Sequence, residues 1–389
     1  MARVKKEKIA LYLHFPFCLK KCPYCNFYSL TLPFSEKDYA KALTQELFLL
    51  KSFLKDLIRN YEVVTFYAGG GTPSLFSPSF FENLINFITK HFNFSPIELT
   101  IEANPETLFL DKLKAYRKIG LNRISLGVQS LCRRGLKFLE RVHTPQKTYQ
   151  VLKWIIKANF TNFSLDFIFG WKGQGEKTLK REIIKALDYN PPHLSFYELT
   201  LESNTPFFEL YGLEKPWISE TKIIKLYKLI EDTLNSYGYE RYEISNYALK
   251  GFESLHNLFY WKIKPYLGLG PSAVSRIGFL RWKNPPNLNL YYQLLLEENR
   301  LPLEIIETLD RTSLAKEYIL MGLRLKEGIS LKVLKNKYKT KILPEALKKL
   351  IQEKLIKIER HKVVLTFEGK LKHNQVVAFL WDHLEFLKS

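Results

Sequence analysis

From residue 9 to about 244 the chain alternates short apolar or β-branched runs with longer amphipathic stretches. That alternation restricts it to repeated βα units around a parallel sheet. The candidate strands are Ile9 to His14, Glu62 to Tyr67, Ile97 to Glu102, Arg123 to Gly127, Asn162 to Phe167 and His193 to Leu199. Six strands predict a partial (β/α)6 barrel of the TIM type rather than a complete one. Between them Ser35 opens a capping-box-like Ser-Glu-Lys-Asp before a helix over 36–59, and Gly120 and Gly238 are placed as helix stops. In such folds the chemistry gathers beyond the carboxyl ends of the strands, so the residues just after each run are the ones to inspect.

The pattern divides the chain into three. Residues 1–244 carry the α/β barrel, and residues 245–300, rich in Gly, Pro, Asn and aromatics, are expected as a connecting subdomain. Residues 301–389 change to helix, helix, helix and then a small β segment around Val363-Val364-Leu365, which predicts a small winged-helix-like α+β domain.

Composition narrows the partners. An excess of 59 Lys plus Arg over 39 Asp plus Glu gives a net charge of +20, suited to anionic lipid headgroups, nucleic acid or ligand carboxylates, or simply to a lysine-rich solvated surface. No run approaches the roughly 18–20 apolar residues of a membrane span, so membrane contact is expected to be peripheral. His14, Pro16 and Cys18 interrupt the apolar stretch from Ile9 to Leu19, against an export signal. Four cysteines, three of them within eight residues, favour metal binding in a reducing compartment over a disulfide scaffold, which predicts a cytoplasmic protein.

Those three follow the first strand as Cys18-Leu-Lys-Lys-Cys22-Pro-Tyr-Cys25. Thiolates are the usual ligands of iron-sulfur clusters, and three ligands to four irons leave one iron open to a chelating small molecule. The competing reading is a Cys3His zinc site completed by His14; it is disfavoured because structural zinc sites prefer paired Cys-x-x-Cys units. Cys132, alone, is read as a buried thiol.

The C-x3-C-x2-C loop with Tyr24 resembles the radical S-adenosylmethionine (SAM) superfamily, and the surrounding residues resemble its coproporphyrinogen dehydrogenase and HemW haem-chaperone group along nearly the whole chain. The resemblance implies a [4Fe-4S] cluster on Cys18, Cys22 and Cys25. It implies SAM cradled by Gly70, Gly71 and Thr72 of Gly69-Gly70-Gly71-Thr72-Pro73, where glycines let the backbone approach a ligand. It further implies Glu102 and Arg141 near the methionyl end, Gln129 and Asp166 on the ribose hydroxyls, and Tyr12 as a SAM contact. Gly170-Trp171-Lys172-Gly173-Gln174 departs from the group, which usually has Leu-Pro between the glycines, so the shape of that loop is open.

His256-Asn257-Leu258-Phe259-Tyr260-Trp261 matches an H-N-x-x-Y-W motif that the resemblance associates with haem handling, implying His256, Asn257, Tyr260 and Trp261 as haem contacts. The plainer alternative is a loop whose polar side chains satisfy backbone groups while its aromatics pack. Phe27 stands where the dehydrogenases carry a further cysteine, and only 17 residues precede Cys18. Both features point to a chaperone with haem as cargo, delivered to haem proteins at the membrane, with a homodimer open and no nucleic acid expected. The alternatives are an oxygen-independent coproporphyrinogen III oxidase, or an RNA-modifying radical SAM enzyme suggested by the basic charge.

Overall fold

A computed structural model describes residues 6–212 and 217–387. It opens with β1 (Glu7–Phe15), α1 (Glu36–Arg59), β2 (Tyr61–Gly70), α2 (Pro78–His91), β3 (Phe94–Ala103) and α3 (Leu110–Lys118). There follow β4 (Arg123–Gln129), α4 (Arg133–Phe138), α5 (Pro145–Lys157), β5 (Asn162–Phe169), α6 (Glu176–Leu187) and β6 (His193–Glu198). The six strands pair in chain order, all parallel. Their unbroken apolar character follows from cover on both faces: in β1, Leu11, Leu13 and Phe15 are as buried as Ala10. The helix stops fall as expected, with Gly120 and Gly238 in the left-handed region at φ 99° and 82°. Ser35 caps α1 by accepting from the Asp38 amide at 3.2 Å.

The next segment runs through α7 (Pro206–Tyr211), α8 (Glu220–Ser236), β7 (Glu240–Arg241), β8 (Asn246–Ala248), α9 (Leu255–Trp261), β9 (Tyr266–Leu269), β10 (Val274–Ile277), β11 (Leu280–Lys283), α10 (Leu288–Tyr292) and β12 (Ile305–Thr308). These strands extend the same sheet at both edges, in the order β12-β11-β10-β9-β1-β2-β3-β4-β5-β6-β8-β7. β9 lies parallel to β1, with Leu13 opposite Leu269, while β8 runs antiparallel to β6. Residues 245–300 are therefore woven into the main sheet, and Leu267, Leu269, Trp282 and Tyr291 belong to its core. The sheet ends in β12 and β7, which do not pair, so the barrel is partial and its carboxyl mouth is wide.

The C-terminal part comprises α11 (Arg311–Gly322), β13 (Ile329–Ser330), α12 (Leu331–Tyr338), β14 (Thr340–Ile342), α13 (Pro344–Gln352), β15 (Ile356–Glu359), β16 (Lys362–Leu365), α14 (Phe367–Leu371), α15 (His373–Asp382) and β17 (Leu384–Phe386). The β15–β16 hairpin joins β13 in a three-stranded sheet beside the helices, the winged-helix-like arrangement. It has its own core, built on Ile319, Leu334, Val363 and Leu380. After Val363-Val364-Leu365 the chain turns helical, because Thr366 accepts from the Gly369 amide at 3.0 Å and caps α14.

Candidate functional site

The three cysteines lie on the loop after β1, at the rim of a 640 Å³ cavity over the carboxyl ends of β2 to β6. That volume is in the range of a single small-molecule site. The loop is anchored at its base, where the Cys18 amide donates to the Leu30 carbonyl and the Leu30 amide to the Pro16 carbonyl. Its far side leans on α7 through the Phe207 amide, which donates to the Pro23 carbonyl at 3.0 Å. Leu19 and Phe27 project outward beside the cysteines, at 61% and 66% exposure.

A polar chain runs beneath the thiols. Arg141 donates from Nη1 to Cys22 Sγ at 3.1 Å and from Nη2 to Asn104 Oδ1 at 2.5 Å. Asn104 Nδ2 donates to Thr72 Oγ1 at 3.1 Å, and Thr72 donates to Cys18 Sγ at 3.5 Å. Burial works against ionisation of Glu106, yet His143, 3.3 Å away, and the Arg141 guanidinium hold its carboxyl below the usual range. The guanidinium thus faces the Glu106 carboxylate at 3.8 Å while its fork geometry serves the Cys22 sulfur and the Asn104 oxygen at once. Burial also raises the Cys18 and Cys25 thiols, so neither is built as a free thiolate nucleophile. Iron, which ligates thiolate, supplies the charge that would offset this.

The donor set fits an iron-sulfur cluster better than zinc. His14 is engaged elsewhere, with Nδ1 hydrogen-bonded to Tyr12 Oη at 3.0 Å and Nε2 to the Tyr28 carbonyl at 2.8 Å.

The glycine segment forms the next wall. Gly71 and Thr72 donate their amides to the Phe15 and Phe17 carbonyls, both at 2.7 Å, which locks the segment against the cysteine loop. A Cβ on Gly71 would lie 2.7 Å from those two carbonyl oxygens and 3.0 Å from Cys18 Sγ, so only glycine fits. Gly70, at φ 107°, turns its amide onto Glu102 Oε2 at 3.1 Å, and Tyr67 donates to Glu102 Oε1 at 2.7 Å. Burial, reinforced by the charge of Asp166, still pushes Glu102 up to about 7 against these two bonds. Across the cavity Asp166 accepts from Ser125 at 2.6 Å and from Ser164 at 2.7 Å. Gln129 ends β4 in the left-handed region, at φ 59°.

Thus Cys18, Cys22, Cys25, Gly70, Gly71, Thr72, Glu102, Gln129, Arg141 and Asp166 all line one cavity. Tyr12 does not: it packs beneath, its ring 6.2 Å from Tyr67 and its hydroxyl on His14. Cys132 is half-buried at the start of α4, away from the cavity. Tyr67, Asn104, Ser125 and Tyr197 line the cavity and were missed from sequence. Asn104 carried a signal, since it follows Glu102 beyond the end of β3; Tyr67 lies within a strand and gave none. The divergent loop at 170–174 is a closed turn: the Gly170 amide donates to Gln174 Oε1 at 2.7 Å, and Trp217 Nε1 to the Gly170 carbonyl at 2.8 Å.

The residues expected to contact haem lie elsewhere, on α9 or packed against it. His256 is 1% exposed, with Nδ1 hydrogen-bonded to Thr65 Oγ1 at 2.9 Å and Nε2 to Tyr260 Oη at 2.8 Å. Burial drives its imidazole down to about 3. Ligation of iron would require one of these bonds to be given up. Trp261 faces inward under the Arg324 guanidinium, 4.4 Å from its ring, and Asn257 donates its amide to the helix cap Ser254 at 3.4 Å. None of the four lines the cavity: the segment expected to contact haem forms a short helix packed against β1 and β2.

A partial α/β barrel with three loop cysteines beside a glycine and carboxylate cradle defines a radical SAM protein, and residues 12–184 match the Radical SAM superfamily. Residues 309–371 match the HemN C-terminal domain. The fold is that of coproporphyrinogen III oxidase (HemN) from Escherichia coli, a radical SAM enzyme, with a TM-score of 0.82 over 97% of this chain and 91% of that one at 22% identity. The chain is 34% identical to the heme chaperone HemW of Lactococcus lactis over 96% of its length and 98% of the relative's. It is 33% identical to that of Bacillus subtilis over 95% and 99%. It belongs to the HemW haem-chaperone family, and as a radical SAM protein its cofactors are a [4Fe-4S] cluster and SAM. No described helix is long and apolar enough to cross a membrane.

Proposed function

We propose that this chain binds haem as cargo and passes it to haem proteins, holding its cluster on Cys18, Cys22 and Cys25 and SAM in the cavity beside them. The observation that carries this reading is the end-to-end similarity to haem chaperones, 34% identity over 96% of the chain. In the SAM site, the Glu102 carboxylate and the Gly70 to Thr72 backbone meet the amino acid moiety, and Arg141 steadies the cluster loop. Asp166 and Gln129 meet the ribose hydroxyls, to which the aspartate side chain offers acceptor oxygens. The cluster, when bound, supplies one-electron chemistry at its open iron.

The oxidase reading is the weaker one. Phe27, where a further cysteine is expected in the dehydrogenases, projects into solvent as an apolar group beside the cluster loop. The likeness to the oxidase, at 22% identity, bears on fold alone. Delivery at the membrane fits the +20 charge, since anionic leaflets attract basic surfaces; a cytoplasmic location and a homodimer stay within this proposal.

The test is to reconstitute the cluster anaerobically, titrate haem while recording the Soret band, and assay coproporphyrinogen decarboxylation in parallel. Saturable haem binding without decarboxylation is the expected result. SAM-dependent decarboxylation without saturable haem binding overturns the proposal.

A further inference from the structure

We propose that α9, through His256, is a positioning element for the SAM cavity: it fixes the ring of Tyr67 and thereby the Glu102 carboxylate. This rests on reading Glu102 as a SAM contact.

The geometry points one way from α9 to the cavity. Tyr67 has two faces of duty: it lines the cavity and donates to Glu102 Oε1, and its ring stacks on His256 with centroids 4.8 Å apart and planes 25° apart. His256 is pinned on both nitrogens, by Thr65 on the same strand as Tyr67 and by Tyr260 one helical turn along α9. Tyr260 meets His256 edge-on at 5.1 Å and is itself held edge-on by Tyr266 at 4.7 Å. The helix is fixed at its other end to the strand that bears Glu102: the Leu255 and His256 amides both donate to the Glu98 carboxylate at 2.9 Å. One short helix therefore grips β2 at Thr65 and β3 at Glu98, two and four residues before Tyr67 and Glu102.

This also accounts for a histidine at that place. A phenyl ring would stack on Tyr67 equally well, but would leave the Thr65 and Tyr260 hydroxyls without the acceptor or donor that a neutral imidazole offers on its two sides. A buried hydroxyl without a partner is destabilising, so the ring would be held less rigidly. Positioning of a binding group within about half an ångström is what such supporting contacts provide.

The test uses the full chain with its cluster reconstituted anaerobically. SAM affinity is measured by equilibrium dialysis and by the change SAM induces in the electron paramagnetic resonance of the reduced cluster; haem binding is measured by Soret titration. His256→Phe and Tyr67→Phe are each expected to weaken SAM binding about tenfold, the scale of one lost hydrogen bond to a charged group. The double variant is expected to be no weaker than Tyr67→Phe alone. His256→Gln, which keeps a polar group towards Tyr260, is expected to recover part of the loss. Unchanged SAM affinity in His256→Phe, additive losses in the double variant, or loss of the haem spectrum with SAM binding intact overturns the proposal. Should His256→Phe fail to fold, Tyr260→Phe removes one hydroxyl and keeps the ring, and unchanged SAM affinity there overturns it equally. Glu102→Gln separates the two levels: if it leaves SAM affinity unchanged, the assignment of the SAM site itself has failed.

Discussion

Replacing Glu98 by alanine would loosen α9 from the barrel by an amount that the structure lets one work out. The Glu98 carboxylate, 5% exposed, accepts two backbone amides at 2.9 Å from the first turn of a seven-residue helix that is too short to hold itself together. Each buried amide left without an acceptor costs about 1–3 kcal/mol, and the carboxylate's attraction to the helix N-terminus adds about 0.3–1 kcal/mol. The His256 end is buried and the Leu255 end is partly open to water. Counting the first in full and the second at half gives a loss of about 3 kcal/mol. Urea unfolding of the full chain should report that difference, and amide exchange in residues 255–261 should accelerate about a hundredfold, the equivalent of that free energy. Glu98→Gln keeps one acceptor oxygen and should lose about half as much. A Glu98→Ala chain within about 0.5 kcal/mol of wild type, as expected of a neutral surface change, would refute the reasoning.

Three other outcomes follow from the same geometry. Serine at Cys18, Cys22 or Cys25 should abolish retention of iron and sulfide on reconstitution, whereas Cys132→Ser should retain both, as iron analysis and the visible absorption of the cluster would show. Gly71→Ala should cost about 1–3 kcal/mol through overpacking against the Phe15 and Phe17 carbonyls, and should also lower iron retention because the displaced backbone presses on Cys18 Sγ. Glu46 accepts from the Gly270 amide, Tyr291 and Asn284, yet burial pushes its carboxyl up to about 7 from the ordinary 4.5. A carboxyl raised on folding binds its proton more tightly in the native state. Its contribution is therefore full below pH 4.5 and lost as pH rises through 7, and Glu46→Gln should flatten that part of the stability profile.

Much of the fold was legible because parallel strands write themselves into sequence as short unbroken apolar runs, and all six were found with ends within a few residues. The cysteine loop and glycine segment were legible for a related reason: their chemistry is local. What escaped was non-local. β9 seats Tyr266 to Leu269 against Ala10 to Leu13, a pairing across more than 250 residues that no local pattern encodes, so the segment read as a connector. α9 has only seven residues, too few to express a helical period, and its fit depends on Glu98, more than 150 residues upstream. Asn104 and Tyr67 were passed over because an Asn-Pro step looks like a turn and a strand tyrosine looks like core. Their hydrogen bonds to Arg141 and Glu102 exist only once the barrel has curved.

The pairing of β1 with β9 also has a bearing on how the chain is made. The cysteine loop follows β1, but one edge of that strand stays open until residue 269 has been added. At the usual 5–20 residues per second, those roughly 250 residues take about 13–50 seconds. For that interval the thiols emerge ahead of the scaffold that will orient them, exposed to oxidants and to stray metal ions. A scaffold able to hold the cluster loop rigidly is thereby deferred until β9 has been made and closes the edge beside β1.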